Sequence, residues 1–334
     1  MKYILKKYWI HLIFLLIIYI PILIITITRT EYNLILKGDT QIFSSVVDID
    51  TDYEEKGSFS TIYVITMDKA TIFQNLITDN DPTVEKYKIS PSYSHLNDIE
   101  NYTSNRIDYE SSIETSIIIA YTEAKKVNQD INIDYSFSSF DVTWYSENSQ
   151  FRIGDKLIGI NDIDNSNRNN LAIAFNSRVD GDIFHIIRNN KKMDITYQKD
   201  KDYISLTDRY NINYDTIYPK LTRKNNFVGG PSGGLLQTLS IYNRLVEEDL
   251  THGLKIAGTG TIQPNGYIGA IGGIREKIPT ALDDNIDIFL CVKANYEDAL
   301  EAYNSLNGRS KMKLVCIEKF EDAVSYLRSY KDEI

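Results

Sequence analysis

Residues 8–28 read YWIHLIFLLIIYIPILIITIT and contain no charged side chain. About 20 apolar residues in a helix reach across a bilayer. This run therefore dictates either a membrane-spanning helix or a leader. A secretory leader has a shorter apolar core, followed by a small-residue cleavage site of the A-x-A kind. Arg29-Thr30-Glu31-Tyr32 follows here, so the run reads as a retained anchor. Lys2, Lys6 and Lys7 precede it, and only Arg29 follows closely. The positive-inside rule then leaves residues 1–7 as a cytoplasmic tail and places the body outside the cytoplasm. Pro21 is tolerable as a kink within lipid. Trp9 and His11 suit the interfacial belt at the start of the span.

The 334 residues suffice for two ordinary domains or one large one. Acidic residues outnumber basic ones by 46 to 36, a net charge of −10, and setting aside the three leading lysines takes the rest to −13. Such a body is a poor partner for nucleic acid or an anionic lipid surface. Two cysteines, Cys291 and Cys316, are too few for a disulfide-built scaffold. Each lies in an apolar run and is expected as a free thiol. His11, His95, His185 and His252 show no ligand spacing, so no metal site is expected.

Residues 29–129 are expected to hold extracytoplasmic strands, a loop and a helix. Phe59–Thr66 is β-branched and aromatic and reads as a strand. Residues 78–108 are polar and read as a long loop. A helix is predicted over about 110–127. Ser111-x-x-Glu114 would be its capping box, and Ile113, Ile117, Ala120, Tyr121 and Ala124 its apolar face.

Residues 130–202 form a small β-rich unit. Gly154-Asp155 makes a turn into a strand with Leu157, Ile158 and Ile160, a helix is predicted over 165–177, and a hairpin follows over 181–197. Asn189-Asn190 suits the positive φ of its tight turn. This order and the string G-D-x-L-x-x-I-N (Gly154 to Asn161) resemble a PDZ domain. The resemblance implies capture of extended peptides by strand addition. Ser136–Phe140 stands where that family carries a Gly-apolar-Gly string for a peptide carboxylate, so binding of free C-termini does not follow. His185 alternates with apolar neighbours and reads as structural.

The sharpest local signal is Val228-Gly229-Gly230-Pro231-Ser232-Gly233-Gly234-Leu235-Leu236. Leu235, Leu236, Leu239 and Tyr242 continue at helical spacing, which sets Ser232 at a helix N-terminus. Backbone N–H groups gathered there suit a developing oxyanion. A serine in a Gly-Pro loop that merely caps the helix is the plain alternative. Gly230 to Gly234 also matches the G-x-S-x-G elbow, but only His252 lies downstream, so a Ser-His-Asp triad is a weak option. A second glycine-rich string runs from Ile256-Ala257-Gly258-Thr259-Gly260-Thr261 to Gly272-Gly273-Ile274-Arg275-Glu276-Lys277. A helix is predicted after Gly273, with Pro279 tolerable near its start. A lysine in a first helical turn opposes the helix dipole, which lowers its pKa. A solvated Arg-Glu-Lys face is the commoner fate of such a triplet.

G-P-S-x-G, A-G-T-G-T and I-G-G-I-x-E-K, in that order, resemble the proteolytic domain of Lon-type serine proteases over about 203–334. Anchor, PDZ-like module and Lon-like domain together resemble the bacterial membrane-anchored PDZ–Lon-like proteases. The resemblance implies an α+β protein: a transmembrane helix, a PDZ-like module and a mixed α/β proteolytic domain. It implies Ser232 as nucleophile, Lys277 as general base and Thr259 as the group orienting the lysine. Gly230, Pro231 and Gly233 would form the nucleophile loop and oxyanion site. Position 275 is often lysine in relatives and is arginine here; Gly233 replaces the usual alanine. No G-x-x-x-x-G-K-[ST] string is present, so cleavage without ATP or any cofactor is expected. The substrates would be exposed segments of extracytoplasmic proteins, and rings of like chains occur among Lon-type domains. The competing reading is an inactive membrane-anchored scaffold that binds peptides.

Overall fold

The structure, a computed structural model, describes residues 2–81, 83–224, 230–306 and 311–330. Helix α1, Lys2–Ile27, is exposed over residues 7–24. Its Lys7–Ile27 stretch is 21 residues long, with a mean hydropathy of 2.9 and none of it buried. It is long and apolar enough to cross a membrane, and a signal sequence passes the same test.

The chain then builds β1 (Tyr32–Ile42), β2 (Val47–Ile49), β3 (Ser58–Met67), the short helix α2 (Ile72–Thr78) and β4 (Glu85–Lys88). Helix α3 runs from Asp98 to Val127. It is 30 residues long and starts well before the predicted 110. Its cap is Asn97, whose side chain accepts from the amides of Ile99 and Glu100, with Glu100 closing a capping box. Ser111 and Glu114, the expected box, lie buried inside the helix. The segment 78–108, expected as loop, thus contains β4 and the first turns of α3.

A β-rich module follows: β5 (Tyr135–Tyr145), β6 (Lys156–Ile160), β7 (Ile163–Asp164), α4 (Arg168–Asn176), β8 (Ile183–Arg188), β9 (Lys191–Thr196) and β10 (Ile204–Ile212). Asn189 and Asn190 turn the β8–β9 hairpin at φ 50° and 61°. The sheet order is β10-β5-β6-β8-β9. The expected boundary between 202 and 203 therefore falls inside this module, because β10 pairs with β5 from Ile204↔Tyr145 to Ile212↔Tyr135. Phe140, Val142, Phe151, Leu157, Phe184 and Ile186 fill its core.

The chain returns through β11 (Leu221–Arg223), α5 (Gly234–Asn243), β12 (Lys255–Thr259), β13 (Thr261–Ile262), β14 (Ile268–Gly269), α6 (Ile274–Asp283), β15 (Ile288–Val292), α7 (Lys293–Ser305), β16 (Lys313–Ile317) and α8 (Phe320–Ser329). The main sheet has the order β16-β15-β12-β3-β1-β4. Strands β3, β12, β15 and β16 are mutually parallel, and β1 runs antiparallel between β3 and β4. Half of this sheet thus comes from residues 32–88. The sequence read those residues as a separate region, but β3 lies directly against β12.

Alternation along β15 shows why both faces are covered. Ile288, Leu290 and Val292 join the core under α3, α5 and α8, while Phe289 and Cys291 join the core under α6 and α7. Each such fully buried side chain contributes about 1.5–3 kcal/mol. Cys291 and Cys316 face each other in register on β15 and β16, and both are free thiols.

Candidate active site

Three elements converge on Ser232. Gly230 has φ 96° and ψ 157°, a conformation that favours glycine. It turns the chain into the single 3-10 turn Pro231–Gly233, and α5 begins at once at Gly234. Val228 and Gly229 of the same glycine-rich string lie outside the described residues. The Ser232 carbonyl accepts from the Gly260 amide at 2.8 Å and from the Thr259 hydroxyl at 3.1 Å, and the Leu235 amide donates to Gly260 O at 3.1 Å. The end of β12 is thereby laced to the serine turn.

Lys277 arrives from α6. Gly273 precedes that helix with φ 68°, and the Lys277 amide donates to Gly273 O at 3.2 Å, so the lysine closes the first turn. Its side chain is 1% exposed. Lys277 Nζ lies 3.0 Å from Ser232 Oγ and donates to Thr259 Oγ1 at 3.0 Å. Thr259, fully buried, accepts from the lysine and donates its own hydroxyl hydrogen bond to the Ser232 carbonyl. Burial brings the Lys277 amine down from its ordinary 10.5 to about 8, since the low-dielectric surroundings penalise the charged form. About a tenth of the amine is then neutral at pH 7.

The Arg275-Glu276-Lys277 triplet is divided between surface and core. Arg275 is exposed and donates to Asp298 at 2.9 Å and Glu301 at 2.6 Å. Glu276 is 2% exposed, and burial raises its carboxyl above the ordinary carboxylate range. Successive residues in a helix point about 100° apart, so one exposed neighbour does not place the next in water.

Residues not singled out in the sequence support the turn from behind. Ser112 on α3 reaches Pro231 O at 3.3 Å and Gln237 Oε1 at 3.2 Å, and Ser116 donates to Gly234 O at 3.1 Å. The signal was present in Ser112 and Ser116, four apart in an isoleucine-rich helix, and in Gln237 amid leucines. Buried polar groups need partners, but their partners are remote in sequence. A Cβ on Gly233 would lie 3.0 Å from Thr61 Oγ1 and 3.2 Å from Gln237 Nε2. Glycine at that position leaves room for these two side chains.

The histidines are elsewhere. His252 sits in the turn before β12, with Nε2 2.8 Å from Leu327 O. A strand rises about 3.3 Å per residue, which puts His252 at the opposite end of β12 from Thr259. His185 lies in the module, between Asp194 Oδ1 at 2.7 Å and Asn161 O at 2.9 Å.

Residues 176–328 match the family model of the Lon protease (S16) C-terminal proteolytic domain. The matched stretch begins at the end of α4 and contains Ser232, Thr259 and Lys277. Over 126 residues, 37% of the chain, it is 29% identical to the Lon protease of Campylobacter jejuni. That alignment takes in 14% of the relative's length, so the chain spans a minor part of the curated protein that it matches. These similarities support a serine peptidase.

Proposed function

We propose that this chain is a membrane-anchored serine endopeptidase that cleaves exposed polypeptide on the extracytoplasmic side without ATP. One observation carries the reading: a buried lysine amine, brought down to about 8, stands 3.0 Å from Ser232 Oγ. In its neutral form that amine donates to Thr259 Oγ1, and its lone pair takes the Ser232 proton. Ser232 Oγ then attacks the peptide carbonyl. Backbone amides of the 230–234 turn are the groups at hand for the oxyanion. The protonated lysine returns its proton to the leaving amine, which departs and leaves an acyl group on Ser232. Water, deprotonated by the same lysine, releases the acid.

The β-rich module, read as PDZ-like, presents the substrate. A cleft of about 450 Å³ lies between it and the β13–β14 hairpin, lined by Phe140, Ala172, Phe175, Leu206 and Pro264 among others. That hairpin begins two residues after Thr259, so an extended peptide held in the cleft has a short path to Ser232. Helix α1, with its leading lysines, holds the body at the outer membrane surface.

A fluorophosphonate probe on the purified full chain tests the chemistry. The wild-type protein should be labelled at Ser232 and should cleave an unfolded reporter protein. Ser232→Ala should do neither. A wild-type chain that is folded yet neither labels nor cleaves is the inactive scaffold instead. Protease added to intact cells tests the side: digestion of the body supports the orientation, and complete protection reverses it.

A further inference from the structure

The helix α2 is inside out for a protein in water. A surface helix normally turns its apolar stripe to the core. In α2 the polar Asn75 is 8% exposed, whereas Phe73, Leu76 and Ile77 are 42%, 62% and 63% exposed. Positions 73, 76 and 77 are i, i+3 and i+4, which makes one continuous face.

This orientation is held by hydrogen bonds. Asn75 Nδ2 donates to Thr30 Oγ1 at 3.0 Å and to Thr71 O at 2.9 Å. Thr71 and Gln74 close a capping box at the helix start. Rolling α2 to bury its apolar face would break the Asn75–Thr30 bond.

The position of α2 identifies what covers that face. The Ile72 amide donates to Thr28 O at 3.0 Å, one residue beyond the end of α1. Thr30 N donates to Ala70 O at 2.9 Å, Arg29 pairs with Thr71 as an isolated bridge, and Arg29 Nη1 donates to Asp68 O and Lys69 O at 3.2 and 3.3 Å. Hence α2 is strapped to the chain at the level where α1 ends. We propose that Phe73, Leu76 and Ile77 dip into the outer leaflet of the bilayer that α1 spans, so that the body touches the membrane at a second point. This inference rests on the reading of α1 as an anchor. It commits to lipid because the helix that carries the face is hydrogen-bonded to the end of the span. Glu31 lies two residues from Arg29 and Asp68 adjoins Lys69, so apolar burial rather than attraction to anionic lipid is the driving term. Helices of this kind seat their apolar face about 5–10 Å into the headgroup–acyl boundary. Two attachments, a span and a surface helix, would fix the tilt of the body and hence the height of Ser232 above the membrane.

The test uses the full chain in a Cys316→Ser background, since Cys291 is buried. Single cysteines are introduced as Leu76→Cys, as Ile18→Cys in the anchor and as Lys192→Cys on the exposed β9. Each is labelled with an environment-sensitive nitrobenzoxadiazole dye and reconstituted in phosphatidylcholine vesicles. Some vesicles carry lipid brominated near the headgroup, others lipid brominated deep in the acyl chain. The Leu76→Cys dye should emit to the blue of the Lys192→Cys dye and be quenched chiefly by shallow bromine. The Ile18→Cys dye should be quenched chiefly by deep bromine. If the anchor dye is quenched and the Leu76→Cys dye is not, the surface contact is overturned while the anchor stands. If neither is quenched, the anchor reading fails and takes this inference with it. A blue-shifted Leu76→Cys dye that bromine spares, and that responds to protein density, means a second copy covers the face and overturns the lipid contact.

Discussion

At the residue scale, Lys277 sets two measurable behaviours, one in catalysis and one in stability. Cleavage should rise with pH through about 8 as the amine loses its proton. Lys277→Met removes the base at similar shape, and Lys277→Arg supplies a cation that does not deprotonate. Both should lower peptide cleavage by about 100- to 10,000-fold or more, read in a peptidase assay beside circular dichroism. Arg275→Lys, on the exposed face, should leave cleavage near the native rate. Stability should move in the same direction, over a higher pH range. The folded lysine has its pKa lowered from 10.5 to about 8, so the unfolded chain binds the extra proton between those values. Stability therefore rises as pH climbs from about 8 to about 10.5, and below pH 8 burial costs up to about 3 kcal/mol. Urea denaturation should find Lys277→Met more stable than the native protein at pH 7, with the gap closing above pH 10.5. A native rate for Lys277→Arg would remove the lysine from the mechanism, and the position of His252 offers no replacement.

Helix α3 carries the argument at the scale of the element. Its cap is Asn97, so Asn97→Ala should cost about 1 kcal/mol of unfolding free energy. Replacing Ser111 should cost nothing through capping, because Ser111 lies in the helix interior. Equal losses at both positions would contradict the observed start. The physical reason that the sequence placed the start too late lies in what the first turns face. Glu100 accepts from Tyr145 OH at 2.5 Å, Ser104 donates to Thr143 O at 2.7 Å, and Asp108 accepts from Thr207 at 2.7 Å. These turns dock on the module through polar bonds and so lack an apolar period. Further along, Ser112 and Ser116 reach the serine turn. One straight helix therefore touches both the module and the candidate site. Strands β15 and β16 and helices α7 and α8 are short and alternate along the chain, with β15 buried throughout and β16 at the sheet edge.

For the whole molecule, the body is discontinuous in sequence. Strands β1, β3 and β4 and helix α3 complete the sheet and core that hold β12, α5 and α6, with residues 130–212 inserted between the two halves. A fragment of residues 203–334 should therefore not fold, whereas residues 29–334 should unfold cooperatively in urea. Cooperative unfolding of the short fragment would show that the first half is dispensable. The junction between α3 and the inserted module is a partly buried ion cluster. Arg209 on β10 donates to Glu114 on α3 at 2.7 Å and lies 3.3 Å from Asp141 on β5. Burial raises the Asp141 carboxyl against this pairing. Arg209→Met should strand two buried acids and cost about 3 kcal/mol, measured as a drop in the urea midpoint.

The sequence by itself determined the apolar span, the β-rich unit and the ordered trio Ser232, Thr259 and Lys277. Each of these is written in a short string whose chemistry is local: an uncharged run, a Gly-Asp turn, glycines that clear space around a serine. Only the tertiary structure decided that Lys277 is buried while Arg275 beside it is not. It alone put β3 against β12 across nearly two hundred residues and kept β10 with the module. It alone turned the apolar face of α2 outward. Burial and strand pairing depend on which distant segment covers a residue, and no window along the chain contains that partner.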